Sequence, residues 1–249
     1  MSVVNGFFPI NQEEVDKQAG NSPVVFLKEG VTQIRILPPY SEKGIWCKEA
    51  REHSVTIDGK FSTVYCPKYH ADSECPFCEE GHRLYEMGDE ASVTASKEFK
   101  PKKAFLFNVI IFSAPGGALD AKKGVKVLKT GITVKRNVFD LDQDAAGGWG
   151  NITDLEKGFD IRITATGQNR NREYIIKGIP QRTNVLDVLK AQGVDVSKIT
   201  PVNLDSLVTV KTYAALKNLL ESARPRNSTV ETQVVNVSGE AQPGKEETF

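Results

Sequence analysis

Apolar and polar positions alternate most clearly in "KKAFLFNVIIF", from Lys102 to Phe112. In extended backbone, Phe105, Phe107, Val109 and Ile111 share one face, and Leu106, Asn108, Ile110 and Phe112 the other. This is the strongest strand signal in the chain. "PVVFLKEGVTQIRILPP" predicts two short strands about Glu29-Gly30, the second stopped by Pro38 and Pro39. "IWCKEAREHSVTI" and "DGKFSTVYC" predict a hairpin, because Asp58-Gly59 supplies a positive-φ turn between β-branched and aromatic runs. "VKVLKTG" is a further strand, and "FDIRITATG" with "EYIIKGI" forms a second hairpin joined by the basic "QNRNR". "APGGALDAKKG" reads as a loop.

Helical spacing is rarer. "EEGHRLYEMG" predicts a short helix, and "VKRNVFDLDQDAAGGWG" fits helix or strand before a glycine-rich bend. After Pro180 the period changes. "NVLDVLKAQG" starts a helix at Asn184 and stops it at Gly193, and Leu204, Leu207, Val208, Leu216, Leu219 and Leu220 are spaced for a second. Short, closely spaced strands followed by two late helices predict a mainly β, α+β chain. An antiparallel Greek-key barrel of the oligonucleotide-binding (OB) type fits the count, and a sandwich fits it nearly as well. The expected organisation is an amino-terminal arm over 1–22 and an OB-fold-like core over 23–182, with a cysteine-rich lobe at about 47–95. A helical part over 183–222 and a flexible tail over 223–249 follow.

A chain of 249 residues with an ordinary apolar fraction can bury a real core. No apolar run reaches the ~18 residues of a membrane span, and "MSVVNGFFPI" lacks the basic start of a signal peptide. The expectation is a soluble protein that is not exported, whose thiols in a reducing compartment serve as ligands or catalysts. The formal net charge is zero, yet charge is segregated. From Lys97 to Arg136 the many lysines face only Glu98 and Asp120, and a second basic set is Arg162, Arg170, Arg172, Lys177 and Arg182. Solvated faces would explain some of this, but segregation on such a scale favours a polyanion.

"HSVTIDGKFSTVYCPKYHADSECPFC" holds three of the four cysteines and two of the three histidines. Cys75-Pro76-Phe77-Cys78 forms a knuckle in which both thiols can face one point, and Cys66 offers a third thiolate. The fourth ligand is His53, His70, His82 or Cys47. Hairpin pairing favours His53, while His70 and His82 otherwise read as surface histidines and Cys47 as a small core residue. A thiol-redox role would want the Cys75–Cys78 pair after a buried parallel strand, and no βαβ pattern surrounds it. Three thiolates and an imidazole leave no position for a catalytic water, so the site reads as one structural zinc.

A sequence-neutral single-strand binder needs cations for phosphates and aromatic faces for bases. "KEFKPKKAFLF" interleaves Phe99, Phe105 and Phe107 with Lys97, Lys100, Lys102 and Lys103, although at least one of Phe105 and Phe107 also reads as barrel core. Tyr174, beside Arg170 and Arg172, is a similar candidate. No recognition helix for duplex readout is evident.

In order and spacing these features resemble the single-stranded DNA-binding, helix-destabilising proteins of T-even-type bacteriophages. The resemblance runs from about Gly30 to Ser222 through "IRILP", the twelve residues between His53 and Cys66, "CPFC", the basic stretch ending "NVIIF", "FDIRITATG" and the late helices. It implies zinc on His53, Cys66, Cys75 and Cys78. It also implies a basic cleft between barrel and zinc lobe, with Tyr85, Phe99, Lys100, Lys102, Lys103 and Phe105 matching by position and Lys126 and Lys129 more loosely. Arg170, Arg172 and Tyr174 sit in a loop whose aromatics do not align. The family's basic amino-terminal arm has no counterpart here, which puts cooperative self-association on DNA in question. The ending "GKEETF" resembles the partner-recruiting ends of other single-strand binders. Glu246, Glu247 and Phe249 are therefore expected to dock replisome partners such as a polymerase, helicase or helicase loader.

The implied function is non-enzymatic: coating and protecting single strands and removing their secondary structure during phage DNA replication, recombination and repair, in the cytoplasm of the infected host. A metal-dependent nuclease is one alternative, but Asp140, Asp142 and Asp144 are the only carboxylate cluster and lack the downstream residues of a calcium loop. A zinc-ribbon protein–protein adaptor is the other.

Overall fold

The structure, a computed structural model, describes residues 23–41, 46–57, 60–116, 124–143, 151–167 and 171–223. Arg170, Glu246, Glu247 and Phe249, with the arm and the tail, lie outside the described residues. Eight strands form one sheet: β1 (Val24–Phe26), β2 (Gly30–Ile36), β3 (Cys47–Ile57), β4 (Lys60–Tyr65), β5 (Lys102–Ser113), β6 (Lys126–Thr130), β7 (Phe159–Thr166) and β8 (Glu173–Arg182). Pairing follows the path β1-β6-β5-β2-β7-β8, with the β3–β4 hairpin branching from β5. Only β1 with β6 is parallel among the described ladders. The fold is therefore mixed α+β on a mostly antiparallel sheet.

Strand β5 organises the molecule. Its first half pairs with β3, from Glu52↔Lys102 to Cys47↔Phe107, and its second half with β2, from Ile36↔Val109 to Gln33↔Ser113. Along the other edge it carries β6. Both faces are buried, as the alternation requires. Phe105, Phe107, Val109 and Ile111 join Ile34, Ile36, Ile161 and Ile163 in an inner cluster. Leu106 and Ile110 join an outer cluster with Leu37, Val127, Val185, Leu189 and Leu204. Each such side chain contributes about 1.5–3 kcal/mol by leaving water.

Among the described residues there are six helices: α1 (Pro67–His70), α2 (Pro76–Glu86), α3 (Glu90–Ser96), α4 (Ile132–Gln143), α5 (Val185–Ala191) and α6 (Tyr213–Ala223). None is long and apolar enough to cross a membrane. The ambiguous segment is α4, because Val134, Val138 and Leu141 recur on one helical face and meet the inner cluster. Helix α5 begins as expected: the Asn184 side chain accepts from the backbone N–H groups of Leu186 and Asp187. Gly193 follows at φ +77°, where a side chain would be strained.

The second late helix is shorter than its leucine spacing predicts, beginning only at Tyr213. Asn203 instead accepts from the backbone N–H of Asp205, a local bond that competes with helix. Tyr40 Oη and Lys48 Nζ hold the Asp205 carboxylate at 2.7 and 2.5 Å. Leu204 therefore enters the outer cluster from a turn. Two polar groups fasten the core. Asn108, on the outer face of β5, exchanges two hydrogen bonds with the Val202 backbone at 2.9 and 3.0 Å. Arg35 is fully buried against Asp160 at 2.8 Å and also donates to the carbonyls of Asp154, Gly158 and Thr183.

Candidate metal centre and nucleic-acid interface

The metal-competent lobe is assembled from the β3–β4 hairpin, α1, α2 and a helix from far along the chain. His53 lies opposite Val64, and the Cys66 N–H donates to the Arg51 carbonyl at 2.9 Å, so hairpin pairing brings imidazole and first thiol together. Cys66 and Cys75 are both helix N-caps followed by proline at the first helical position. Their sulfurs thus stand at the mouths of α1 and α2, where backbone N–H groups lack intrahelical partners. The Lys68 and Tyr69 backbone helps hold the Cys66 thiol down, and the Tyr69 N–H also donates to the Cys66 carbonyl at 3.2 Å. Leu216 and Leu220 of α6 complete the lobe's cluster with Val55, Val64, Phe77, Cys66 and Cys75.

One ligand atom each from His53, Cys66, Cys75 and Cys78 lies within 4.8 Å of every other. Cys75 Sγ and Cys78 Sγ are 3.3 and 3.6 Å from His53 Nε2, and Cys66 Sγ is 3.6 Å from Cys78 Sγ. Tetrahedral zinc would set S···S edges of ~3.8 Å and S···N edges of ~3.6 Å. The donor set and its spacing fit that ion. The imidazole is already oriented: Nδ1–H donates to the Phe99 carbonyl at 2.9 Å, which leaves the Nε2 lone pair facing the sulfurs. Its ring stacks on Phe77 with centroids 5.1 Å apart. Hydrogen bonds from Cys75 and Cys78 pull the Cys66 thiol down, and donating that bond holds Cys78 up. A cation bound by thiolates would displace their protons.

The other candidate ligands have separate places. His70 Nε2 accepts from the Arg51 N–H at 2.8 Å and fastens α1 to β3. His82 is exposed, 3.8 Å from Glu86. Cys47 is half-buried against the inner cluster. Asp140 and Asp142 lie on α4 and join no metal-competent group among the described residues, while Asp144 lies outside them.

Beside the cluster, a cleft of about 290 Å³ is lined by Cys78, Gly81, His82, Tyr85, Phe99 and Lys100, among others. It brings together Tyr85, Phe99 and Lys100. Tyr85 is exposed and Phe99 half-buried, so both offer ring surface to solvent. Gly81 explains itself here, because a Cβ would come within 2.8 Å of Phe99 Cβ. Lys102 and Lys103 follow, exposed, at the start of β5.

Several expected contacts have other work. Phe105 is 3% exposed in the inner cluster and offers no face to a base, because its position on β5 points inward. Lys129 is committed to Glu52 and to Thr63 Oγ1, joining β6 to the β3–β4 hairpin. Lys126 is half-exposed on β6. Arg172 donates to the carbonyls of Leu27 and Gly167 at 2.9 and 3.3 Å, and Tyr174 packs on the inner cluster. Both lie on the β7–β8 hairpin, at the far end of the strand path from β1, and not in the cleft beside the metal-competent cluster. Sequence spacing missed Arg51 and Tyr69, which stack beside the cluster with the guanidinium carbon 4.9 Å from the ring centre. Tyr69 lies among the metal-competent residues, where the cysteine pattern draws the eye away from it.

No curated protein matches the chain. The model of the family described as "gp32 DNA binding protein like" matches residues 28–219, which takes in the four candidate metal ligands, the cleft and all but the first strand and the end of the last helix. With that match across most of its length, the chain belongs to the gp32-like family of single-stranded DNA-binding proteins.

Proposed function

We propose that the protein coats single-stranded DNA without catalysis, holding the strand in a cleft between the sheet and a lobe pinned by one structural zinc on His53, Cys66, Cys75 and Cys78. One observation carries this reading. Phe99 both lines the cleft with Tyr85 and Lys100 and accepts the hydrogen bond that orients His53. The site that would hold the ion and the surface that would hold the strand therefore share a residue. The sheet, with α4 packed against its inner cluster and α5 against its outer one, is read as an OB-type barrel.

Lys100, Lys102 and Lys103 neutralise phosphates, while Tyr85 and Phe99 stack bases. Binding only the open strand melts hairpins by mass action. The proposal extends to roles in phage replication, recombination and repair in the host cytoplasm, a reading that the family match supports. Recruitment of replisome proteins through Glu246, Glu247 and Phe249 is a separate element of the proposal. Titration of oligo(dT) at several salt concentrations, with metal bound and removed, tests the reading. Affinity should fall steeply with salt and collapse without the ion; salt-indifferent binding, or none, overturns it.

A further inference from the structure

On the lobe side of β5, two cations converge on one oxygen. Arg51 and Lys103 are cross-strand partners in the β3–β5 ladder. Arg51 Nε lies 2.9 Å and Lys103 Nζ 3.5 Å from Glu49 Oε1. The same guanidinium covers one side of the Tyr69 ring at 4.9 Å, and Tyr69 remains 54% exposed. Tyr69 is not loosely held. It sits in α1, between Cys66 at the helix mouth and His70, whose Nε2 accepts from the Arg51 backbone.

A nucleotide offers a phosphate with several acceptor oxygens and a base with a π-face. Two donors aimed at one point beside an accessible, cation-stacked ring match that pair of needs. The point is held by a carboxylate that is itself 43% exposed. Ion pairs as exposed as this one are weak, so a phosphate can take the carboxylate's place.

We propose that Arg51, Lys103 and Tyr69 form a nucleotide subsite for single-stranded DNA, and that Glu49 occupies its phosphate position in the free protein. This rests on the single-strand reading above and adds a built-in competitor to it. Strand entry exchanges an internal carboxylate for a backbone phosphate while Arg51 keeps its place over Tyr69. Because Glu49 already neutralises part of the charge, the subsite releases fewer counterions than two free cations would. Glu49 thus sets both the affinity and the salt sensitivity of this subsite.

The test uses the full-length, metal-loaded protein and oligo(dT) titrations across a range of salt. Glu49→Gln should bind about fivefold tighter at low salt, with a log K against log salt slope steeper by about 0.7, so that the gain shrinks as salt rises. Tyr69→Ala should weaken binding about tenfold with the slope unchanged, and Tyr69→Phe should bind as the parent does. If Tyr69→Ala loses its metal, Tyr69→Trp replaces it, and oligo(dT) should quench its emission beyond that of the parent, which already carries Trp46 and Trp149. Unchanged or weaker binding by Glu49→Gln overturns the proposal, as does full affinity in a metal-replete Tyr69→Ala or a Tyr69→Trp quenched no further than the parent. In each of these cases a wild-type protein that binds with steep salt dependence keeps the broader reading intact. A wild-type protein that ignores oligo(dT) sinks both.

Discussion

His53 gives its Nδ1–H to the carbonyl oxygen of Phe99, 2.9 Å away, and by that bond the donor cluster and the entrance to β5 become one unit. Phe99 ends a short 3₁₀ turn, and Lys100, Lys102 and Lys103 follow at once. Any disturbance of the imidazole is passed to the backbone that presents these lysines.

Loss of the ion should therefore damage binding and stability together. Cys78→Ser is expected to abolish stoichiometric zinc and lower Tm by roughly 10 °C or more, since structural zinc supplies folding free energy. Amide exchange should rise first over 47–101 and 213–223, leaving the inner cluster protected. Metal analysis with exchange mass spectrometry reads both effects, and a metal-free variant with native protection across the lobe would contradict this account.

Two lysines that look alike in sequence should behave differently. Lys100 is exposed beside the cleft, so Lys100→Ala should flatten the salt dependence of oligo(dT) binding by about 0.7 with little change in stability. The Lys129 and Glu52 side chains are only 10% and 12% exposed. Lys129→Met should cost about 3 kcal/mol in urea unfolding by stranding that carboxylate, and leave the salt slope as it was.

Arg35 and Asp160 form the most buried charge pair among the described ion pairs, with side chains 0% and 4% exposed. Burial pulls the guanidinium pKa down, and Asp160 opposes that pull. Asp160→Asn should destabilise by about 3–5 kcal/mol, because it leaves a desolvated cation short of its counter-charge. Chemical denaturation measures this directly. A loss under 1 kcal/mol would mean that the surrounding carbonyls suffice alone.

Burial pushes the Cys47 thiol up to about 12, with Lys135 opposing and Glu49 assisting. In the unfolded chain a thiol ionises near ~8.5. The contribution of Cys47 to stability is thus complete below that pH and is lost as pH rises through 8.5 towards 12, because only the unfolded form releases its proton. Between about pH 7 and 10 the urea midpoint of the wild type should fall further than that of Cys47→Ala. The native thiol should also resist alkylation until the protein is denatured.

The strands were legible because their information is local. Alternation in "KKAFLFNVIIF" fixes both faces of β5, and the runs flanking Asp58-Gly59 fix the register that sets His53 beside Cys66. Spacing picked out the three thiols for the same reason and pairing favoured His53 over His70, His82 and Cys47, while the complete donor set was what the family resemblance implied. What the sequence hid depends on contacts across the chain. Phe105 and Phe99 are both aromatic residues among lysines, and only the packing of α4 and β2 against one of them decides which is core. Lys129 reads as a free cation until Glu52, far away in sequence, is seen to face it. Leu204, Leu207 and Val208 fit a longer α6, yet Asn203, Tyr40 and Lys48 all bond Asp205 in the turn before it.

Helix α6 gives the lobe a late finishing step. Val55, Val64 and Phe77 are covered by Leu216 and Leu220, which a ribosome adds well over a hundred residues afterwards. During synthesis the nascent hairpin and its thiols must wait with an open greasy flank. An ion captured early would tether the half-built lobe until that last helix emerges to shut it.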